Sequence, residues 1–589
     1  MQDTKKLDEI ATKLRLYSLK ATTAAGSGHP TSCLSAADIM SCLFFSILKK
    51  EDEFILSKGH AAPLLYAVYA EAELIKEKEL LNLRKITSNL EGHPTPRMPY
   101  IKVATGSLGQ GLSIAVGMAL AKKLRKKKGI IYVLIGDGEC AEGSIWEAAN
   151  IASYYNLDNI CAIIDINRLG QSQETMHGHD IEDYERKFKA FKWQTKIIDG
   201  HSIPSILNAF NYKKKIKQPF VILAKTLKGK GVSFLEDREN WHGKALLKEE
   251  LEIAMKELKE IDVKMHSKIK KKQWKHHKTN IKFYHYKKGD MISTRGAFEK
   301  AIIELGKRNK QVVVLDGDVK NSTKTDAFFQ NFPERSFQCF IAEQNMTGMA
   351  IGLSKQGFIP IVSTFAAFIT RAHDQIRMAR YSEANIKFVG SHAGIEVGED
   401  GPSQMGLEDI GLFLTIPQAT ILYPSDAHST QYLLQEMAKI DGISYLRLTR
   451  GATPVIYKKN EKFPIGKIKI IYKSKRDKAL VIAAGITLHE ALQAYKILQK
   501  KGIFIRIVDL YSVQPIDEKG LVKNARECDN KVIVVEDHYA NGIGSKVDSI
   551  LGKITHLYVK EIPRSGKPYE LMNKYGIDAE AIVKAVKEK

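Results

Sequence analysis

The sequence predicts an α/β protein of three domains: two built on parallel sheets, and a smaller C-terminal domain of the same class. Strand-length apolar runs such as IIYVLIG, ICAIIDI and VVVLD recur along the chain, separated by segments with helical periodicity. Runs that are apolar on both faces are typical of strands covered by helices on both sides. At 589 residues the chain is too long for a single hydrophobic core, so several domains are expected.

Composition limits the kind of protein. The chain is 44% hydrophobic and 27% charged, and MQDTKKLDEI at its start lacks the apolar core of a signal peptide. No apolar run approaches the roughly 20 residues that a membrane-spanning helix needs. The six cysteines contain no C-x-x-C pair, which predicts reduced core residues, not disulfides or a zinc site. We therefore expect a soluble, cytoplasmic protein without a membrane partner.

A lysine-dense stretch without sustained periodicity interrupts the α/β pattern at residues 256–288. Nucleic-acid binding would need its charge interleaved with aromatic rings, and Trp274, Tyr284 and Tyr286 lie nearby. An interdomain linker needs only solubility, and the formal charge of +23 is spread over the whole chain, so we predict a basic linker and no nucleic-acid partner. The predicted domains are 1–255, 289–455 and 456–589.

Polar residues follow two consecutive predicted strands of the first domain. Asp137 follows one strand in a GDG turn, and Asn167 and Leu169 follow the next. Ligands of open α/β sheets bind beyond the carboxyl ends of the strands, where these residues should meet. A carboxylate, an amide oxygen and a backbone carbonyl suit magnesium that also binds phosphate oxygens, and calcium fits the same ligands. Taken alone, GDG is more often an ordinary turn.

Two further patterns in the first domain favour an anion site with a polar pocket. ATGSLGQGL places glycines before an alanine-rich helix, so backbone amides and a helix N-terminus are expected to face an anion. Four histidines also occur beside glycine or proline, at His29, His60, His93 and His242. A lone histidine in a turn is usually structural, but this recurrence favours a shared pocket.

Longer motifs resemble the transketolase family. In the first domain these are ATTAAGSGHPTS, LSKGHAAP, ATGSLGQGL, INRLGQS, KTLKGKG and WHGK. The second domain contributes DGDVKNST, IAEQNM, STFAAFITRAHDQIRMA and GSHAGIEVGEDGPSQM, and the third VEDHYANGIG and PRSGKP. The resemblance covers essentially the whole chain in family order and is strongest to the animal-type form with a short linker.

The resemblance implies a thiamine-diphosphate-dependent transferase with a divalent cation, magnesium or calcium. Such an enzyme moves a two-carbon ketol unit from xylulose 5-phosphate to ribose 5-phosphate or erythrose 4-phosphate in the pentose phosphate pathway. It also implies a homodimer, with each active site formed between the first domain of one subunit and the second domain of the other.

The resemblance further implies the residues that bind the cofactor. Asp137, Asn167 and the Leu169 carbonyl match the metal ligands, and Glu343 matches the glutamate that stabilises the imino tautomer of the cofactor's aminopyrimidine. The remaining positions that match cofactor contacts are Ser32, His60, Gly106, Ser107, Leu108, Gly138, Lys228, His242, Phe365, Phe368 and, more weakly, Gln404.

Substrate residues are implied in the same way. His29, His93 and His242 match catalytic positions along the substrate channel, where a group titrating near neutrality can transfer protons. Arg295, Ser322, His392 and Arg450 match a phosphate clamp and Asp400 a residue that recognises a substrate hydroxyl. Glu142 and Glu147, which spacing alone predicts to be helix-start charges, match glutamates that link the two sites of the dimer.

Two stretches depart from the family pattern. GATP follows Arg450 where the animal-type pattern has a proline and an acidic residue, and the segment between His29 and His60 is short. The third domain carries no catalytic constellation, which predicts a module that supports the dimer; a lost or regulatory ligand site is the alternative.

Four other functions remain open from the sequence. They are a deoxyxylulose phosphate synthase, a dihydroxyacetone synthase, an inactive homologue and a basic nucleic-acid binder. The local motifs fit the first poorly, and the C-terminal VKAVKEK is not the peroxisomal address expected of the second. Intact Glu343, Asp137 and Asn167 argue against inactivity.

Overall fold

The computed structural model describes residues 4–259, 261, 263–269 and 274–588. The chain divides into two compact units. The first contains the residues up to Trp274 together with Ile351–Gln356 and Tyr381–Glu383, and the second contains the rest. The predicted α/β class is confirmed in both units.

The first unit is built on a parallel sheet. Its strands are β1 (Glu53–Leu56), β2 (Ile131–Gly136), β3 (Ile160–Ile166), β4 (Gln194–Asp199) and β5 (Phe220–Lys225), in the order β1-β2-β3-β5-β4. Its helices are α1 (Thr4–Ala25), α2 (Pro30–Ser35), α3 (Ala37–Cys42), α4 (Ala62–Glu71), α5 (Gly111–Leu124), α6 (Gly143–Tyr154), α7 (Ile181–Ala190), α8 (Ile203–Lys213) and α9 (Lys248–Leu258). Strands β2 and β3 are buried along their whole length, as their continuous apolar sequence predicts.

The second unit contains two larger sheets and a strand pair. The elements from the interdomain segment to residue 454 are β6 (Met291–Ser293), α10 (Thr294–Arg308), β7 (Val312–Asp316), α11 (Lys320–Thr323), α12 (Asp326–Asn331), β8 (Ser336–Gln338), α13 (Glu343–Ser354), β9 (Ile359–Phe365), α14 (His373–Tyr381), β10 (Ile386–Ser391), α15 (Asp409–Leu414), β11 (Thr420–Leu422), α16 (Ala427–Lys439), β12 (Ile443–Arg447) and β13 (Ala452–Pro454). The elements that follow are β14 (Lys469–Tyr472), β15 (Asp477–Ala483), α17 (Ile486–Gln499), β16 (Phe504–Asp509), β17 (Ser512–Gln514), α18 (Glu518–Arg526), β18 (Val532–Val535), α19 (Ile543–Leu551), β19 (Thr555–Leu557), α20 (Pro568–Lys574) and α21 (Ala579–Lys587).

One strand links the two larger sheets of the second unit. The sheet orders are β17-β11-β12-β10-β9-β7-β8 and β14-β16-β15-β18-β19, and β6 pairs with β13. Strand β17 comes from the predicted third domain but pairs antiparallel with β11 of the predicted second domain. The domain boundaries stay predictions, and β17 shows that the last two share a sheet.

The basic segment has no helix or strand between α9 and β6 in its described residues. Lys270, Lys271, Lys272 and Gln273 of the predicted linker lie outside the described residues. Its aromatic rings pack on the protein itself. The indole of Trp274 lies 4.0 Å from the Arg125 guanidinium carbon in the first unit, and Tyr286 is buried in the second.

The structure also bears on two expectations that were drawn from composition, one on the cysteines and one on membrane-spanning helices. All six cysteines, each within the described residues, are buried and free of disulfides. Among the helices that the structure describes, none is both long and apolar enough to span a membrane.

Candidate active site

The first cluster of predicted residues lies where β2 and β3 end. These strands are parallel, with Gly136 opposite Asp165, so Asp137 and Asn167 leave the sheet side by side. The Asp137 carboxylate accepts hydrogen bonds from the amides of Gly138 at 2.8 Å and Arg168 at 2.7 Å. Burial and the nearby Asp165 raise the pKa of Asp137 to about 6, which marks a site where a cation would be favourable.

A lysine provides positive charge at the predicted metal carbonyl. Lys228 Nζ donates to the carbonyl of Leu169 at 2.7 Å and lies 2.7 Å from Nδ1 of His242. Burial and the neighbouring Lys58 lower the pKa of Lys228 to about 8. The donor set of carboxylate, amide and carbonyl oxygens fits a hard divalent cation. In the described residues no group of three or more His, Cys, Asp or Glu is placed to hold a metal ion.

A buried ion pair that sequence patterns do not reveal adjoins this cluster. Lys58 and Asp165 are almost completely buried and form an ion pair, and Lys58 also donates to the carbonyl of Ser32 at 3.1 Å. Asp165 accepts a hydrogen bond from Nδ2 of Asn167 at 3.3 Å, and Oδ1 of Asn167 accepts one from the Leu169 amide at 3.3 Å, so both ends of the side-chain amide are held and one lone pair of its oxygen remains for a cation. Although burial opposes it, Lys58 keeps the pKa of Asp165 below its ordinary value. The SKGH motif contained Lys58, but its partner lies too far along the chain to be recognised from sequence.

The four predicted histidines form one cluster. The rings of His29 and His242 are 5.0 Å apart, those of His29 and His60 5.2 Å, and those of His29 and His93 6.3 Å. Burial, followed by nearby cations, lowers the pKa of His29 to about 4 and of His242 to about 3. The imidazoles are therefore neutral at neutral pH and able to donate at one nitrogen and accept at the other.

The glycine-rich loop before α5 lies against this cluster. Gly106 has φ +124°, and a Cβ there would come within 2.8 Å of the His93 ring, so glycine is required. The prediction that backbone amides of this loop face an anion is wrong for Gly109 and Gly111, because the amide of Gly109 donates to Glu139 and that of Gly111 to Ser57, and it stays a prediction for Gly106, Ser107 and Leu108. The protein's own side chains satisfy these two donors.

A cleft of about 620 Å³ unites these residues. The predicted residues that line it are His29, Ser32, His60, His93, Gly106, Leu108, Asp137, Gly138, Asn167, Leu169, Lys228 and His242. Ser107 lies between two of these lining positions. The cleft therefore combines carboxylate, amide and carbonyl oxygens, the lysines Lys58 and Lys228, and neutral imidazoles.

The second unit holds the predicted pyrimidine residues. Glu343 is the first residue of α13 and is buried. Nε of Arg371 lies 3.4 Å from its carboxylate. The rings of Phe365 and Phe368 stack with centroids 5.0 Å apart, and His392 stacks on Phe365 at 3.8 Å. The stacked rings form a flat apolar surface of the kind that packs on an aromatic ligand.

The predicted phosphate residues also come together in this unit. Arg295 donates to the carbonyls of Arg450 at 3.0 Å and Ser322 at 2.9 Å. Asp400 lies 3.2 Å from the Arg450 guanidinium. Burial and both arginines lower the pKa of His392 to about 3. Two guanidinium groups beside a neutral imidazole are suited to a phosphate.

Three predicted residues are not drawn into these clusters. The side-chain amide of Gln404 donates to the adjacent Ser403 at 3.4 Å, and its backbone amide donates to the carbonyl of Gly401. Glu142 is exposed just before α6, and Glu147 lies half-buried on that helix. Their assigned roles stay predictions.

Comparison with known proteins identifies the family. Sequence profiles described as the transketolase thiamine diphosphate binding, pyrimidine binding and C-terminal domains match residues 7–312, 290–455 and 466–582. Transketolase-like protein 2 of Mus musculus is 47% identical over 99% of this chain and 97% of its own length. Transketolase of Homo sapiens is 46% identical over the same shares.

A solved structure supports the fold. Transketolase from Campylobacter jejuni superposes with a TM-score of 0.89 over 99% of this chain and 100% of that chain, at 24% identity. The fold and the polar clusters thus define a protein of the thiamine-diphosphate-binding class. The chain belongs to the transketolase family.

Proposed function

We propose that this protein is a transketolase that transfers a two-carbon ketol unit from xylulose 5-phosphate to ribose 5-phosphate or erythrose 4-phosphate. The observation that carries the proposal is the cleft in which Asp137, Asn167 and Lys228 lie beneath four neutral histidines. A cytoplasmic location in the pentose phosphate pathway belongs to the same proposal.

The cofactor proposal assigns roles to this chain's own residues. Asp137, Asn167 and the Leu169 carbonyl would hold Mg²⁺ or Ca²⁺ on the diphosphate, and Lys228 would neutralise phosphate oxygens. Bound thiamine diphosphate supplies an electron sink for the carbanion character that cleavage beside a ketone generates. Glu343 would hold a proton against a pyrimidine nitrogen, while Phe365 and Phe368 pack on the ring.

In the proposed substrate site, charged residues bind the phosphate group and histidines transfer protons. Arg295 and Arg450 would bind the sugar phosphate, with Ser322 and His392 completing the clamp. His29, His93 and His242 would donate and accept protons at substrate hydroxyl and carbonyl oxygens.

Apolar side chains support the proposed homodimer. Phe340 and Ile341, just before Glu343, are 39% and 78% exposed. In the first unit Met176 lines the cleft and is 76% exposed. A contiguous exposed apolar patch is typical of a surface that a partner covers, and Phe340 and Ile341 are adjacent exposed apolar residues. A second subunit would cover both rims and bring the diphosphate and pyrimidine residues into one site.

Activity with defined sugars tests the proposal. With thiamine diphosphate and Mg²⁺, xylulose 5-phosphate and ribose 5-phosphate should yield sedoheptulose 7-phosphate, measured by mass spectrometry. No product from intact, cofactor-loaded dimer would refute the proposal. Release of carbon dioxide from pyruvate with a triose phosphate would indicate the synthase instead, and efficient use of formaldehyde as acceptor a dihydroxyacetone synthase.

Replacement of Glu343 tests its role separately. Glu343→Gln should reduce turnover at least about 100-fold, because the amide cannot exchange a proton with the pyrimidine. The affinity for the magnesium–diphosphate portion, measured by calorimetry, should change little because its ligands lie on other residues. Wild-type turnover by this variant would contradict the proton-transfer role.

A further inference from the structure

The residues after Arg450 are held by a carboxylate that no predicted role covers. Glu396 lies in the turn Ile395–Asp400, and its Oε2 accepts hydrogen bonds from the amides of Arg450 at 3.1 Å and Gly451 at 2.9 Å. Burial raises the pKa of Glu396, and the two amides and Arg450 oppose that shift. The Glu396 carboxylate thus binds the main chain at Arg450 and Gly451, and Arg450 is one of the two arginines of the proposed phosphate clamp.

Both arginines of the clamp depend on this main chain. The Arg450 guanidinium donates to the carbonyl of Val397 at 2.7 Å, within the same turn as Glu396. Arg295 donates to the Arg450 carbonyl. A shift of the peptide at Arg450 would therefore move its own side chain and remove a hydrogen bond from Arg295.

The residue type at position 451 makes this arrangement possible. Proline has no amide hydrogen, so the proline expected from the family pattern could not donate to Glu396. A Cβ on Gly451 would also overlap with Oε1 of Glu396. The GATP departure thus provides both the second donor and the space that the carboxylate needs, while Ala452 carries no charge of its own.

We propose that Glu396 is a positioning residue of the phosphate clamp, which fixes the Arg450–Gly451 main chain so that Arg295 and Arg450 face a phosphate group. The proposal rests on the proposed transketolase function. A purely structural role for Glu396 would affect all substrates alike, whereas this role affects only ligands that carry a phosphate.

Two ketol donors, one with a phosphate group and one without, distinguish these two roles. The assay compares xylulose 5-phosphate with the unphosphorylated donor hydroxypyruvate, using unphosphorylated glycolaldehyde as acceptor with both. Glu396→Ala should raise KM for xylulose 5-phosphate and the inhibition constant of inorganic phosphate about tenfold, because two charge-assisted hydrogen bonds are lost. The kcat values and the KM for hydroxypyruvate should stay within about twofold, since these do not depend on the clamp.

Three further variants sharpen the test. Glu396→Gln keeps an acceptor oxygen, so KM for xylulose 5-phosphate and the inhibition constant of phosphate should return most of the way to their wild-type values. Glu399→Ala, which removes an exposed glutamate of the same turn, should leave KM and kcat for both ketol donors unchanged. Gly451→Ala should resemble Glu396→Ala, but should add little in the Glu396→Ala background because the overlap is then gone.

Several results would overturn the proposal. These are equal losses for both donors in Glu396→Ala, an unchanged KM for xylulose 5-phosphate, or additive effects of the Glu396→Ala and Gly451→Ala changes. If Glu396→Ala does not fold, as judged by circular dichroism, Gly451→Ala and Glu396→Gln provide the same comparison. If the wild type turns over neither donor, the proposed function fails, while calorimetric titration with inorganic phosphate still tests Glu396 by the same expected weakening.

Discussion

At the residue scale, the proposed diphosphate site is built from buried charged groups beside neutral histidines. Lys58 and Asp165 place an ion pair under the predicted metal ligands, where removal of one partner would leave an uncompensated buried charge. The four histidines nearby have the opposite property, because burial and neighbouring cations keep them neutral. Charge in the cleft is therefore concentrated at Lys58, Lys228 and the carboxylates.

The neutral histidines predict a dependence of stability on pH. A histidine whose folded pKa lies below its unfolded value of 6.5 binds its proton in the unfolded state first, so acid favours unfolding. Above pH 6.5 these histidines should not lower the free energy of unfolding. As the pH falls from 6.5 toward about 4, the folded pKa of His29, they should lower it progressively. The midpoint of thermal unfolding between pH 7.5 and 4.5 measures this.

His242→Gln provides the control for the pH prediction. Glutamine cannot titrate but can still accept a hydrogen bond from Lys228, so the variant should lose less stability on acidification than the wild type. An identical pH profile would show that His242 does not contribute.

At the element scale, the loop from β10 to α15 is held by residues beyond it in the second unit. Ile395 and Val397 belong to the hydrophobic core formed by β15, β16 and their helices. Gly394 of this loop has φ +78°, and a Cβ there would overlap with Asp537. Asp537 is itself paired with buried Arg447 at 2.9 Å. The C-terminal region thus packs directly on the loop that carries the proposed substrate residues His392 and Asp400.

Gly394→Ala tests this support. The variant should lower the free energy of unfolding by about 2–4 kcal/mol, because alanine at positive φ is strained and its Cβ displaces a buried ion pair. Gly442→Ala is the matched control, since Gly442 has φ +98° with open space around it and should show only the strain of about 1–2 kcal/mol. Equal losses in the two variants, measured by chemical denaturation, would contradict a role for Asp537.

At the scale of the whole molecule, the residues of the proposed function are divided between the two units. The proposed diphosphate residues lie in the first unit and the proposed pyrimidine and phosphate residues in the second, and exposed apolar side chains occur in both. The proposed homodimer would combine residues from two copies of the chain.

Ile341→Asp tests the proposed dimer. A charge on this exposed apolar surface should shift the protein toward monomers and reduce activity in proportion, because desolvating an unpaired carboxylate is costly. Sedimentation velocity at micromolar concentration measures the shift. Ile253→Asp, at a 50% exposed site on α9, should remain dimeric. A fully active dimer of Ile341→Asp would argue against this surface as the interface.

Sequence patterns were most informative where they reflect local structure. Continuous apolar runs correctly predicted β2, β3 and β7, because a strand covered on both faces must be apolar throughout. The edge strand β4 was missed because QTKIID is largely exposed and carries no such run. The turn after each buried strand then located Asp137 and Asn167, since parallel strands end at one edge of their sheet.

The sequence by itself determined the fold class, the family resemblance and the residue types of the candidate site. Only the tertiary structure revealed the pairing of Lys58 with Asp165, the amides of Gly109 and Gly111 already bound by side chains, and Glu396 behind Arg450 and Gly451. The physical reason is that sequence patterns record local periodicity, whereas the partner of a buried charge or amide is chosen by packing between segments far apart in the chain.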